Sequence, residues 1–189
     1  MEYQNIIWEG RFQPIHKGHL GYIKKLLTLG NRIWIIVLAN ERSNSVLTLP
    51  VPEFSSHIDM HHASEKNPFP LWLRYLMVKE TINAELEENA NRIEIVWGHR
   101  WDLDYLFYAR ALPNNRCFAI PLRDSDDDLK EKALLELKEN CIRVNVSELP
   151  VISATMVRKA ASNKESLQEY LSPTTINLLK TYRKSFSEL

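Results

Sequence analysis

Residues 10–19, Gly-Arg-Phe-Gln-Pro-Ile-His-Lys-Gly-His, combine side chains that can hold a phosphate group. The segment follows the apolar residues 6–8 and precedes Leu20 and Ile23, which begin a helical apolar spacing, so the order strand, tight loop and helix is predicted. Gly10 leaves room for an anion near the backbone at the end of the strand, and the first amides of the helix carry partial positive charge. The sequence therefore predicts a phosphate site in this loop.

Three side chains of this segment suit an anion. His16 and His19 lie three residues apart across the junction of loop and helix, so both imidazoles can face the same bound group. Arg11 adds a permanently charged, planar set of donors for phosphate oxygens. A lone histidine is more often a helix cap or a filler of polar gaps, but this combination indicates anion binding.

A second candidate segment, Ile-Ser-Ala-Thr-Met-Val-Arg, occupies residues 152–158. Ser153 or Thr155 can cap a helix whose amides point at an anion, and Arg158 in its first turns can reach the same oxygens. On its own the segment is typical of an ordinary capped helix. Together with the first segment it predicts the other half of one site.

A third segment, residues 67–78, reads Asn-Pro-Phe-Pro-Leu-Trp-Leu-Arg-Tyr-Leu-Met-Val. Trp72, Leu76 and Met77 are predicted to form a core stripe on a helix. Arg74 is then either a solvated flank or a phosphate-binding side chain, and the second interpretation is favoured slightly.

These segments resemble the motifs of one enzyme group. Residues 10–19 resemble the GxFxPxHxGH signature of the HxGH nucleotidyltransferase superfamily, and the Arg-Phe-Gln within them is similar to the archaeal-type nicotinamide mononucleotide adenylyltransferases. Residues 152–158 resemble the superfamily's ISxTxxR motif. Residues 67–78 resemble its NPFTxxERxxMI segment, with Leu73 in place of the glutamate.

The resemblance implies a reaction and a set of site residues. The phosphate of nicotinamide mononucleotide would attack the α-phosphorus of ATP, giving NAD and pyrophosphate, with Mg²⁺ carried by ATP and no protein nucleophile. Charge in the transition state would be stabilised by Arg11, His16, His19 and Arg158. The expected nucleotide-binding residues are Gly10, Phe12, Gln13, Gly18, Asn40, Arg74, Ile152, Ser153 and Thr155.

The acceptor is less well defined by the sequence. Trp97 or Trp101 can stack on a pyridine ring, although a tryptophan in this setting is more often part of a core. The chain departs from the archaeal-type pattern at residues 96–100 and 121–124, where an aspartate-containing segment and an SGN-like turn are usual. Two alternatives therefore stay open: the same chemistry on another phosphorylated acceptor, and a non-catalytic nucleotide-binding regulatory module.

Composition excludes some function classes. Twenty-four basic residues balance twenty-four acidic ones, so no overall positive field favours nucleic acid or an anionic membrane. No run of about twenty apolar residues and no basic leader is present, which predicts a cytoplasmic protein.

Cys117 and Cys141 are expected to be reduced core residues. The sequence leaves the oligomeric state open, so a homo-oligomer is possible.

No metal site of the protein's own is expected. His57, His61 and His62 lie in a long loop at residues 41–66, but no cysteine or firm fourth ligand accompanies them. The acidic run 124–128 precedes a helical apolar pattern, so favourable interaction with the helix dipole explains it without a cation.

Strand-like and helix-like segments alternate along the chain, which predicts an α/β fold. We expect a Rossmann-like, five-stranded, mainly parallel sheet with helices on both faces, in a single domain over residues 1–189 with a helical tail from about 162. A capping box is predicted at Ser162 and Glu165, and a last helix at Ser172-Pro173. In such sheets ligands bind beyond the carboxyl ends of the strands, where both motif segments would then lie.

Overall fold

Five parallel strands form the centre of the protein. The structure, a computed structural model, describes residues 2–39, 54–55 and 67–187, the last four of these through their backbone only. The strands are β1 (Tyr3–Gly10), β2 (Gly30–Leu38), β3 (Ile93–Gly98), β4 (Arg116–Leu122) and β5 (Cys141–Asn145). Their order across the sheet is β3-β2-β1-β4-β5, and every neighbouring pair is parallel. The predicted five-stranded Rossmann-like sheet is confirmed.

Helices cover both faces of the sheet. In the described ranges they are α1 (Lys17–Leu29), α2 (Leu71–Glu85), a 3₁₀ helix (Glu87–Arg92), α3 (Tyr105–Ala111), α4 (Ser125–Glu136), α5 (Ala154–Ser162) and α6 (Pro173–Ser187). Ile6 and Ile35 belong to the core beneath α1 and α2, whereas their neighbours Ile7 and Ile36 belong to the core beneath α3 and α4. This alternation follows from the two-residue period of a strand. None of these helices is long and apolar enough to cross a membrane.

The strand order reverses between β1 and β4. The chain runs outward from β1 through β2 to β3, and then returns to the other side of β1 to form β4 and β5. The carboxyl ends of β1 and β4 are Gly10 and Leu122, and the next strand after each lies on the opposite side of this strand pair. A crevice at this position is where open parallel sheets bind ligands.

Helix starts predicted from capping residues are confirmed at two positions and wrong at a third. Asp124 accepts hydrogen bonds from the amides of Asp126 and Asp127, which confirms that the acidic run starts a helix. Ser162 instead ends α5, where its hydroxyl donates to the carbonyl of Arg158, so the predicted capping box is wrong. The last helix begins at Pro173, as predicted.

The buried stripe of α2 is rotated relative to the predicted one. Trp72, expected in the core, is 60% exposed and touches Tyr182 edge to face. Leu73 and Arg74 are buried instead, together with Met77. The buried Leu73 therefore belongs to the core at the position where the resembling motif has glutamate.

Candidate active site

One open cavity at the carboxyl edge of the sheet is lined by both motif segments. Its volume is about 680 Å³. The first segment contributes Gly10, Arg11, Phe12, Gln13, His16, Gly18 and His19, and the second contributes Ile152, Ser153, Ala154, Thr155 and Arg158. Arg158 Nη1 donates to the carbonyl of Gln13 at 2.9 Å, which joins the two segments directly. The structure thus brings together residues that are about 140 positions apart in the chain.

The two histidines cap α1 reciprocally. The His16 Nδ1 atom accepts from the backbone amide of His19 at 3.3 Å, and the His19 Nδ1 atom accepts from the amide of His16 at 3.2 Å. The rings are stacked, with centroids 3.5 Å apart. Because each Nδ1 is an acceptor, each neutral ring carries its proton on Nε2, on the side opposite the cap. Two N–H donors therefore remain for a ligand in the cavity.

Both imidazoles are neutral near pH 7. Burial lowers the pKa of His16 to about 4. Burial also lowers the pKa of His19 well below its ordinary value, and the charges of His16 and Arg123 lower it further. In the protein without ligand the histidines thus supply N–H dipoles rather than the full charges expected from the sequence.

Two arginines of the motif segments add full positive charge. Burial lowers the pKa of Arg11, and so does the nearby charge of Arg158; burial likewise lowers the pKa of Arg158. Arg158 also donates from Nη2 to the Thr155 hydroxyl at 3.3 Å. Two guanidinium groups that repel each other in a partly buried cavity favour a bound polyanion, because the anion relieves that repulsion.

Arg74 lies behind the loop rather than in the cavity. It is 1% exposed, and its Nη1 donates to the carbonyls of Arg11 and Leu38 at 2.7 and 2.6 Å while its Nε donates to the carbonyl of Phe69 at 3.0 Å. The Gln13 amide side chain also binds the backbone of Phe69, through both its oxygen and its nitrogen. Both side chains therefore hold the loop in place, and a nucleotide contact by Gln13 or Arg74 stays a prediction.

Gly10 is required by an aromatic ring. Phe12 has a positive φ of 50°, an uncommon backbone conformation for a bulky residue, and its ring packs against Trp8 and His19 with centroids 5.2 and 5.1 Å away. A Cβ atom on Gly10 would lie 2.9 Å from the Phe12 ring. The Phe12 ring therefore leaves no room for a side chain at residue 10, and the backbone of Gly10 lines the cavity as well.

Gly18 lies against the loop that leads into the second motif. A Cβ atom there would lie 3.1 Å from His16 Nδ1 and 3.2 Å from the carbonyl oxygen of Pro150. Ser153 caps α5 by accepting from the amide of Met156 at 3.2 Å. The amides of Ala154 and Thr155 precede the first intrahelical bond of α5, so they point out of its N-terminus, which forms part of the cavity wall.

The two tryptophans predicted to bind the acceptor do not line this cavity. Trp97 is 61% exposed at the end of β3. Trp101 is fully buried and stacks on Phe54 with ring centroids 4.7 Å apart, and of these two rings only Phe54 is part of the wall. Asn40 and the histidines of the 41–66 loop lie outside the described residues.

The wall also contains side chains that the sequence did not single out. Glu9 accepts from Lys130 at 2.7 Å and from the Tyr108 hydroxyl at 2.8 Å. Arg123 binds Asp127 through two hydrogen bonds of 2.9 Å. Glu9 directly precedes the first motif and Arg123 directly follows β4. Their positions at the ends of strands are the feature of the sequence from which a place in the cavity wall could have been predicted. Within the part of the chain that the structure describes, no three His, Cys, Asp or Glu side chains form a metal site.

Comparisons with known proteins agree with this architecture. A family model described as cytidylyltransferase-like matches residues 7–160. Among solved structures, the nicotinic acid mononucleotide adenylyltransferase of Plasmodium falciparum complexed with NaAD has a TM-score of 0.58 at 18% identity, covering 95% of this chain and 96% of that one. No curated protein matches in a sequence search.

A second similar protein is the bifunctional NMN adenylyltransferase/ADP ribose pyrophosphatase of Francisella tularensis. It has a TM-score of 0.61 at 22% identity, covering 94% of this chain and 49% of that one. The same protein complexed with AMP and a manganese ion has a TM-score of 0.60 at 21% identity, covering 95% and 49% of the two chains. At these identities the likeness is one of fold.

Proposed function

Since the chain belongs to the cytidylyltransferase-like family, we propose that it transfers the adenylyl group of ATP to nicotinamide mononucleotide, releasing pyrophosphate and forming NAD. One observation carries the proposal: the reciprocal pair His16 and His19 shares a cavity with Arg11 and Arg158. The similar solved structures, whose own names state adenylyl transfer to nicotinic acid or nicotinamide mononucleotide, support this choice of acceptor class.

The proposed reaction needs alignment and charge stabilisation. An oxygen of the acceptor's phosphate attacks the α-phosphorus of ATP, and the bond from that phosphorus to the bridging oxygen of pyrophosphate breaks. Arg11 and Arg158 balance the negative charge, and the Nε2–H groups of His16 and His19 donate to phosphate oxygens. Because the caps and the Gln13 carbonyl already fix these groups, little reorganisation is required as charge develops.

Mg²⁺ would enter with ATP. Phosphate oxygens and water are the ligands that this hard cation prefers, and it would neutralise part of the triphosphate charge. The cavity fits such a complex because its lining includes arginines, which suit a polyanion. The phosphate oxygens of that polyanion would themselves be the ligands of the metal. A related structure holding AMP and a manganese ion supports the use of a divalent cation.

Pyrophosphate release tests the proposal. The purified chain is incubated with ATP, Mg²⁺ and, separately, nicotinamide mononucleotide, nicotinic acid mononucleotide and other phosphorylated acceptors. We expect the highest kcat/KM with nicotinamide mononucleotide. Release only with another acceptor would change the substrate, and tight ATP binding without release from any acceptor would indicate a regulatory module.

A matched pair of variants links that activity to the site. Arg158→Ala removes a guanidinium from the cavity, so we expect turnover to fall by roughly a hundredfold, as when one preorganised charge donor is lost. Lys159→Ala removes the neighbouring, exposed cation of the same helix and should leave turnover unchanged. Equal activity of the two variants would contradict the proposed role of the cavity.

A further inference from the structure

Tyr22 on α1 carries a buried hydroxyl whose role the proposed chemistry does not explain. The residue is 4% exposed, and its ring packs against Trp8 with centroids 5.0 Å apart. The hydroxyl oxygen is buried and has no hydrogen-bond partner among the described residues. A buried hydroxyl without a partner destabilises the folded state, and a phenylalanine would avoid that cost. The hydroxyl therefore requires an explanation beyond packing.

The hydroxyl lies beside the phosphate-binding part of the cavity. Tyr22 lines the cavity together with Arg123 and Asp127. Burial raises the pKa of the Tyr22 hydroxyl, while the charges of Arg123 and Asp127 act on it in opposite directions. The charge of Arg123 also lowers the pKa of His19. Arg123 therefore stands close to both the tyrosine and the histidine pair.

Arg123 is the exposed member of the ion pair that lies beside the hydroxyl. Its side chain is 57% exposed and is held to Asp127 by the two hydrogen bonds described above. Asp127 is buried, so turning Arg123 outward costs part of this ion pair, a cost that ligand binding must offset. Since the Arg123 side chain is mostly exposed, its rotation leaves the core packing intact.

The wall around Tyr22 has the character of a nucleoside site. Val146, Leu149 and Pro150 line the same cavity, and the loop that holds them lies directly on α1, because a Cβ atom on Gly21 would meet Leu149 at 3.2 Å. Apolar side chains with a few placed polar groups are typical of sites that bind a flat heterocycle. The arginines and histidines already described serve the phosphates, which leaves this wall for the rest of a nucleotide.

We propose that the Tyr22 hydroxyl donates a hydrogen bond to the nucleoside part of the bound nucleoside triphosphate once Arg123 turns outward. This inference rests on the proposed function in one respect, namely that the donor substrate is a nucleoside triphosphate. It assigns Tyr22 a role in recognition and none in the transfer of the adenylyl group.

Tyr22→Phe tests the proposal by separating binding from stability. The dissociation constants of ATP and of inorganic tripolyphosphate are measured by calorimetry, and the free energy of unfolding is measured in urea. We expect ATP to bind roughly three- to tenfold more weakly, as for one lost neutral hydrogen bond. Tripolyphosphate should bind as to the wild type, and the variant should be at least as stable. Tyr75 is a partly buried tyrosine of α2 outside the cavity. The variant Tyr75→Phe is therefore the matched control, and it should bind both ligands as the wild type does.

Other outcomes overturn the proposal. Unchanged ATP affinity in Tyr22→Phe would mean that the hydroxyl does not touch the ligand, whereas weaker binding of both ligands would assign it to the phosphates. A destabilised variant with normal ATP affinity would mean that the hydroxyl has a structural partner. If the wild type bound neither ligand, the proposed function itself would fail, and this result differs from all the others.

Discussion

Each histidine of the first motif has a structural role at one ring nitrogen and a proposed binding role at the other. The Nδ1 atoms of His16 and His19 complete the start of α1, and their Nε2 atoms remain for a ligand. Folding and binding therefore depend on different atoms of the same side chain. Substitutions that imitate one nitrogen at a time can separate the two roles.

His19→Asn and His19→Gln make this separation. Asparagine places an amide oxygen near the Nδ1 position, so the cap and the stability should persist while turnover falls by roughly a hundredfold. Glutamine places an N–H near the Nε2 position, so it should recover part of the turnover and lose about 1 kcal/mol of stability. Steady-state pyrophosphate release and urea unfolding measure both quantities. Wild-type turnover in a folded His19→Asn variant would contradict a ligand contact by Nε2.

The neutral state of the histidines predicts how stability depends on pH. His16 takes up a proton near its ordinary pKa of 6.5 when unfolded, but only near pH 4 when folded. Since the unfolded state binds more protons between these values, the free energy of unfolding is largest above pH 6.5 and declines as the pH falls toward 4. The loss from His16 should reach about 3 kcal/mol, and His19 acts in the same direction.

Urea denaturation at a series of pH values between 7.5 and 4 measures this loss. His16→Asn keeps a cap but does not titrate, so its curve should be flatter than that of the wild type. A slope unaffected by this substitution would show that His16 is not the group responsible.

At the scale of elements, the packing of α1 against the loop that leads into the second motif depends on Gly18. Gly18→Val would push against the His16 ring and the Pro150 carbonyl, and a displacement of catalytic groups by about 1 Å costs roughly a hundredfold in rate. Gly21→Ala on the same helix meets only the end of the Leu149 side chain, which can move, so it should keep most of the activity. Pyrophosphate release and thermal unfolding of both variants are the measurements. Similar activities would mean that the close approach at Gly18 is unimportant.

Apolar runs made the strands predictable, whereas boundaries set by tertiary contacts were not. The apolar spacing of residues 102–112 predicts a helix over that range, but the helix begins only at Tyr105, because Asp102 pairs with buried Arg100 and Asp104 provides the cap. The spacing of residues 72–89 likewise predicts one helix, but that helix ends at Glu85 and is followed by a 3₁₀ helix. Contacts of this kind join segments whose proximity is not evident in the sequence.

The same distinction applies to the site. The motif residues could be found because each motif is contiguous. The burial of Arg74 against the carbonyls of Arg11, Leu38 and Phe69, and the stacking of Trp101 on Phe54, depend on packing between distant segments. The neutral state of the imidazoles depends on burial as well, so residue type alone suggested charges where the structure has dipoles.

At the scale of the whole molecule, sheet topology creates the site. The reversal of strand order at β1 and β4 opens a crevice. The first motif follows β1 and lines one side of the crevice, and the start of α5, which follows β5, lines the other side. Neither half holds all four side chains that are predicted to bind the anion, and the packing of the sheet brings them to one cavity. We infer that a single triphosphate lies between the two halves.

A crystal structure with an ATP analogue tests that claim most directly. The analogue carries a methylene group between the α- and β-phosphates, so it cannot release pyrophosphate. We predict phosphate oxygens of one molecule at about 3 Å from both His19 Nε2 and the Arg158 guanidinium. A triphosphate that contacts only one of the two motifs, or that lies elsewhere on the sheet, would contradict the account.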